Sequence, residues 1–240
     1  MCKIESFQYI NNNSNKTILY LHGWDSSYKT LLPLKQQTND YNQLFIDLPG
    51  CGYNNKLTKP LKIKDYIAIL TEFLKEETQK IQIIVGHSFG GKLAIKMQNI
   101  FVNLKGLFLI SPAILKKKRT LIYYFKIYKY KLYKKLKFNT DKFGSDDYKN
   151  ANKIEKQTLI NVVNEDGKKE AKNPIIPTIL LWGDKDLATP YYMAIKLNKI
   201  IKSSNLIKIK GDHFAFLDVK NNANKILESF IKGVDKNANY

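Results

Sequence analysis

The sequence predicts an α/β protein with a mostly parallel central sheet flanked by helices, and two observations support this. Short apolar runs alternate with helical patterns along most of the 240-residue chain, an order typical of parallel β-α-β units. The apolar runs are continuous rather than alternating, as expected for strands that helices cover on both faces. The predicted strands lie at 16–23, 41–50, 81–85, 104–111, 177–184 and 205–212.

Helical patterns fill the intervals between these strands. The clearest one, in the segment 61–80, places apolar residues at helical spacing. Further helices are predicted in the region 31–38 and near 89–101, 190–202 and 219–233. The N-terminal segment "CKIESFQYI" has room for one strand or a short hairpin.

The alternation of strands and helices is interrupted between residues 112 and 174. A basic stretch at 116–137 interleaves lysines with aromatic residues at helical spacing, and a second helical pattern follows at 151–166. We interpret 112–174 as a helical cap inserted into a core formed by 1–111 and 175–240.

The formal net charge of +19 raises the question of an anionic partner. Arg119 is the only arginine among 40 basic residues, whereas bidentate recognition of bases and phosphates favours arginine. No nucleic-acid partner is therefore expected. Peripheral contact between the basic helix at 116–137 and an anionic membrane remains an open alternative to a merely solvated helix.

The composition also limits location and cofactors. Cys2 and Cys51 give neither a disulfide framework nor a zinc-binding spacing. No secretory leader and no membrane-spanning apolar run is recognisable, so a cytoplasmic protein is expected. We expect no metal and no cofactor, and we interpret Cys51 as a small filler rather than a second nucleophile.

The segment "IQIIVGHSFGGKLAIK" at 81–96 carries the clearest chemical signal. A Gly-x-Ser-x-Gly motif between a strand and a helix is typical of a nucleophile elbow, a turn so tight that the neighbours of the serine must be small. Gly86 and Gly90 meet that need. Ser88 is therefore the candidate nucleophile.

A serine hydroxyl needs a base with a pKa near neutrality, which favours histidine. His213 follows the last strand, and parallel strands bring their carboxyl ends to one edge of the sheet, so it is the predicted base. Asp184 and Asp186 follow the preceding strand at the same edge and are both candidates for the supporting acid.

Acyl transfer also needs N–H groups that stabilise the negative charge developing on the carbonyl oxygen. We predict that the backbone N–H groups of Trp24 and Phe89 form this oxyanion hole. The candidate pocket residues are His22, Gly23 and His87 in the core and Tyr123, Tyr124 and Tyr128 in the predicted cap.

Together these pieces resemble the α/β-hydrolase superfamily over residues 16–111 and 175–233. The matching segments, in order, are "LHGW", "DLPGCG", "GHSFGG", "WGDKDLATP" and "GDHF". The resemblance implies an α/β-hydrolase fold and favours Asp186, with Pro190 after it, over Asp184. A serine rather than an aspartate at the elbow disfavours the dehalogenase and epoxide-hydrolase branches.

The expected function is hydrolysis of a carboxylic ester with a small or medium acyl chain through an acyl-enzyme on Ser88. A membrane-associated lipase, monoacylglycerol lipase or lysophospholipase is the main alternative. An amidase or aminopeptidase relative and a non-catalytic binding protein are further alternatives.

Overall fold

A computed structural model describes residues 3–54, 56–117, 128, 151–172 and 176–237. In these residues a seven-stranded sheet has the order β1-β3-β2-β4-β5-β6-β7. The strands are β1 (Phe7–Ile10), β2 (Thr17–Leu21), β3 (Asn42–Ile46), β4 (Ile81–His87), β5 (Gly106–Ile110), β6 (Thr178–Gly183) and β7 (Ser204–Ile209). All neighbouring pairs are parallel except β1 with β3. The predicted fold class and all six predicted strands are thereby confirmed.

The described helices lie between or after these strands. They are α1 (Ile63–Phe73), α2 (Phe89–Met97), α3 (Lys153–Asn164), α4 (Tyr191–Ile200), α5 (Ala215–Asp218) and α6 (Lys220–Asn237). Because β2 to β7 run in one direction, the loops after them meet at one edge of the sheet, where ligands bind in such folds.

Two helix predictions need correction. The region 31–38 forms only a short 3₁₀ turn, Leu32–Leu34, which follows another at Tyr28–Thr30. The chain leaves helical geometry at Lys35, whose ψ is 129°. Helix α1 ends at Phe73 rather than near residue 80, because the segment 75–80 that follows is polar and has no apolar side chains to pack on the core.

Buried apolar residues form one cluster on each face of the sheet. Helix α3, predicted at 151–166, adds Leu159 and Val162 to one of these clusters. Its Thr158 hydroxyl oxygen also accepts a hydrogen bond from the Leu61 N–H at 3.1 Å. The basic helix predicted at 116–137 lies outside the described residues after Lys117, except for Tyr128. The division into core and cap stays a prediction.

Candidate active site

Ser88 lies between β4 and α2 in a strained backbone conformation. Its φ of 48° is in the left-handed region that residues with a side chain rarely adopt. Its N–H donates to the Ile110 carbonyl and its own carbonyl accepts from Ala113 N–H, both at 2.9 Å. A Cβ atom at Gly90 would collide with the Leu21 carbonyl. The close approach of β2 to the elbow is therefore the physical reason for a glycine at that position.

His213 and Asp186 form a hydrogen-bonded pair near this elbow. The His213 Nδ1–H donates to Asp186 Oδ2 at 2.7 Å, which leaves the Nε2 lone pair of the neutral ring as the basic site. The Asp186 side chain is buried, whereas 15% of the His213 side chain is exposed. Burial tends to raise the pKa of Asp186, but the His213 hydrogen bond and charge and the Thr189 hydrogen bonds hold it below its ordinary value.

Thr189 also holds Asp186, through a contact that sequence reasoning missed. Its N–H donates to Asp186 Oδ1 and its hydroxyl donates to Oδ2, each at 2.8 Å. An aspartate followed three residues later by a threonine is a local pattern that can form such a turn, so "DLAT" carried a weak signal. Asp184, the second candidate acid, instead accepts a hydrogen bond from Gly211 N–H at 3.0 Å.

The two candidate oxyanion donors flank Ser88. Phe89 is the first residue of α2, so its N–H is one of those that a helix leaves without an intrahelical acceptor. The rings of Trp24 and Phe89 pack edge to face with their centroids 5.8 Å apart. Gly23 is adjacent, since a Cβ built on it would lie 3.4 Å from the Ser88 Cβ.

His22 orients the peptide that carries the Trp24 N–H. Its buried ring accepts from Leu48 N–H at Nε2 (2.9 Å), so the proton resides on Nδ1 and is donated to the Gly23 carbonyl at 2.6 Å. Burial lowers the pKa of His22 to about 4. Because the ring is buried and backbone groups occupy both nitrogens, His22 offers no free polar group to a substrate, and its place in the pocket stays a prediction.

Among the other predicted pocket residues, Gly23 lies beside Ser88. His87 is fully buried, and its place in the pocket stays a prediction. Tyr128 is 65% exposed, whereas Tyr123 and Tyr124 lie outside the described residues.

A small cavity of about 90 Å³ lies beside Trp24. It is lined by Trp24, Asp25, Gly50, Cys51, Leu57, Ala151 and Glu155. Burial raises the pKa of the Cys51 thiol to about 12, so the thiol is protonated at neutral pH. In the described ranges, no group of three or more His, Cys, Asp or Glu side chains is arranged to hold a metal ion.

The sheet order agrees with a comparison against protein families. Residues 18–138, about half of the chain, match the model of the alpha/beta hydrolase family. The chain belongs to the α/β hydrolase family. Across the described helices, none is long and apolar enough to span a membrane.

Two curated relatives are similar to this α/β hydrolase in sequence. "Putative esterase/lipase 2" of Mycoplasma genitalium is 24% identical over 81% of this chain and 82% of the relative. The protein of the same name from Mycoplasma pneumoniae is 25% identical over 48% of this chain, and the match spans only 46% of that relative. Among solved structures, an esterase from Exiguobacterium antarcticum has a TM-score of 0.73 at 17% identity, covering 96% of this chain and 98% of its own.

Proposed function

We propose that this α/β hydrolase is a serine hydrolase that cleaves carboxylic esters through an acyl-enzyme on Ser88. One observation supports this most strongly. His213 and Asp186 form a 2.7 Å hydrogen bond at the same edge of the sheet as the strained Ser88. The names of the two Mycoplasma relatives support an ester substrate.

The mechanism follows from the placement of these groups. The His213 Nε2 takes the proton of the Ser88 hydroxyl as the Oγ attacks the acyl carbon. Asp186 keeps the proton on Nδ1 and stabilises the imidazolium that forms, and Thr189 holds the carboxylate in place. The N–H groups of Trp24 and Phe89 stabilise the oxyanion. His213 then protonates the leaving alcohol, and water activated by His213 releases the acid.

The acyl group is proposed to be small or medium in size. The cavity beside Trp24 measures about 90 Å³ and also has carboxylate side chains, Asp25 and Glu155, in its lining. A long alkyl chain gains little in such a space, because burial next to charged groups offsets the hydrophobic gain.

The proposal is tested by hydrolysis of p-nitrophenyl esters of increasing acyl length. Wild type is expected to turn over the short esters best, and Ser88→Ala is expected to lower kcat by several orders of magnitude. Ser27→Ala, which removes a hydroxyl from an adjacent loop, serves as the matched control and should retain activity. An optimum at long chains would favour the lipase alternative.

Two results would contradict the proposal. One is an unchanged rate in Ser88→Ala, which would remove Ser88 as the nucleophile. The other is a folded wild-type protein without turnover on any ester of the series, which would favour another acyl substrate or a binding function.

A further inference from the structure

His87 precedes the candidate nucleophile, yet its side chain points into the protein. The ring is fully buried, and its Nε2 lies 3.0 Å from the backbone carbonyl oxygen of His213. A carbonyl oxygen can only accept a hydrogen bond, so the proton of the neutral ring resides on Nε2. This bond connects the strand that carries Ser88 with the loop that carries the candidate base.

The surrounding packing leaves the ring of His87 little freedom. Its centroid lies 4.8 Å from that of His213, 5.1 Å from Phe214 and 5.0 Å from Phe216. On the opposite side, a Cβ built on Gly23 would come within 2.9 Å of Nδ1. His87 is thus enclosed between the loop of the base and the turn of the candidate oxyanion hole.

The charge state of His87 suits a fixed donor rather than a proton carrier. Among the described residues, Nδ1 is buried without a hydrogen-bond partner. Burial, aided by the nearby His213, lowers the pKa of His87 to about 3. The ring therefore stays neutral at neutral pH, and it donates one hydrogen bond from Nε2.

We propose that His87 is a positioning residue, which sets the placement of His213 relative to Ser88 through the hydrogen bond to the His213 carbonyl. The side chain of His213 is held at Nδ1 by Asp186, whereas His87 holds its backbone. The two contacts together determine where the His213 Nε2 points. His87 contacts no substrate in this account. The inference rests on the proposed function.

The matched variants for a test are His87→Gln and His87→Met. Both replacements are unbranched and similar in length, but only glutamine offers an N–H donor near the position of Nε2. His87→Met is expected to lower kcat about 10- to 100-fold, because a displacement of the His213 ring by about 1 Å can lower the rate by that factor. The KM is expected to change about twofold or less. His87→Gln is expected to recover most of kcat. Equal thermal unfolding midpoints would exclude a general loss of folding.

A second measurement does not depend on turnover. The chain has three histidines, so ¹⁵N-histidine NMR can follow the His213 Nδ1–H that is donated to Asp186. We expect slow exchange of this proton with water in wild type and His87→Gln, and faster exchange in His87→Met.

The outcomes separate the two proposals. Wild type and Ser88→Ala measured in the same ester assay decide the proposed function. Unchanged kcat in His87→Met, a rise in KM that accounts for its whole defect, or no rescue by His87→Gln would overturn the role of His87. If wild type hydrolyses no ester, the exchange of the His213 proton still decides, and identical exchange in all three proteins would contradict the inference.

Discussion

Two histidine–aspartate pairs lie at the same edge of the sheet, and they differ in what their hydrogen bonds leave free. His213 Nδ1 and Asp186 Oδ2 are 2.7 Å apart, whereas His22 Nε2 and Asp47 Oδ1 are 3.7 Å apart. Both aspartates follow a strand, β6 in one case and β3 in the other. In the sequence alone the two pairs look alike.

The hydrogen bonds of the His22–Asp47 pair leave neither nitrogen of the histidine free to act as a base. Backbone groups use both nitrogens of His22. The Asp47 carboxylate accepts from Tyr28 N–H at 2.6 Å, Tyr53 N–H at 2.8 Å and the Ser6 hydroxyl at 2.7 Å. The pair therefore links the segments that carry Ser6, Gly23, Tyr28, Leu48 and Tyr53.

The His213–Asp186 pair uses only one nitrogen of its histidine for the carboxylate and keeps part of the ring accessible. A general base needs a free nitrogen within reach of the substrate as well as a carboxylate partner. The comparison teaches that hydrogen bonds and exposure, rather than a His and an Asp at strand ends, distinguish a candidate base from a structural pair.

The largest expected difference between the pairs is in kcat. His213→Gln should lower kcat on a short p-nitrophenyl ester by about 10⁴-fold, because the general base is lost. His22→Gln should lower kcat by about 100-fold or less, because at most the orientation of one oxyanion donor is lost. Steady-state kinetics of both variants measures this, and a His22→Gln defect as large as that of His213→Gln would remove the distinction.

The next effect is on stability. Asp47→Asn should lower the free energy of unfolding by about 3 kcal/mol, because an amide NH₂ group would face N–H and O–H donors that now share a buried carboxylate. Asp184→Asn is the control, since Asp184 is exposed and accepts one bond from Gly211 N–H. Its expected cost is about 1 kcal/mol or less. Urea unfolding compares the two, and equal losses would contradict a special role for Asp47.

The smallest effect concerns acid pH. The pKa of His22 is about 4 in the folded protein, against about 6.5 when unfolded. The unfolded chain thus binds a proton that the folded chain excludes, so this contribution to stability is complete above pH 6.5 and declines as the pH falls towards 4.

At pH 5 the loss through His22 should be about 2 kcal/mol. Urea unfolding at pH 7 and pH 5 should therefore show a larger decrease for wild type than for His22→Gln, which lacks this titration. The same decrease in both proteins would show that His22 is not the group responsible.

Much of the architecture could be predicted from the sequence, because buried parallel strands leave continuous apolar runs and the elbow leaves its small residues around Ser88. The burial of His22 and His87 could not be predicted, since it depends on hydrogen bonds to Leu48 N–H and the His213 carbonyl, contacts distant in the chain. The helix predicted at 31–38 was wrong for a local reason, because the short apolar pattern there fits a helix and a packed 3₁₀ turn equally well. The catalytic roles of Ser88, Asp186 and His213 stay predictions.

The nucleophile can be located with a fluorophosphonate, which reacts with an activated serine as its Oγ displaces fluoride. Peptide mass spectrometry should place the adduct on Ser88 in wild type, and His213→Gln should slow labelling by orders of magnitude while the protein remains folded. An adduct on another residue, or equal labelling rates in wild type and His213→Gln, would contradict the account.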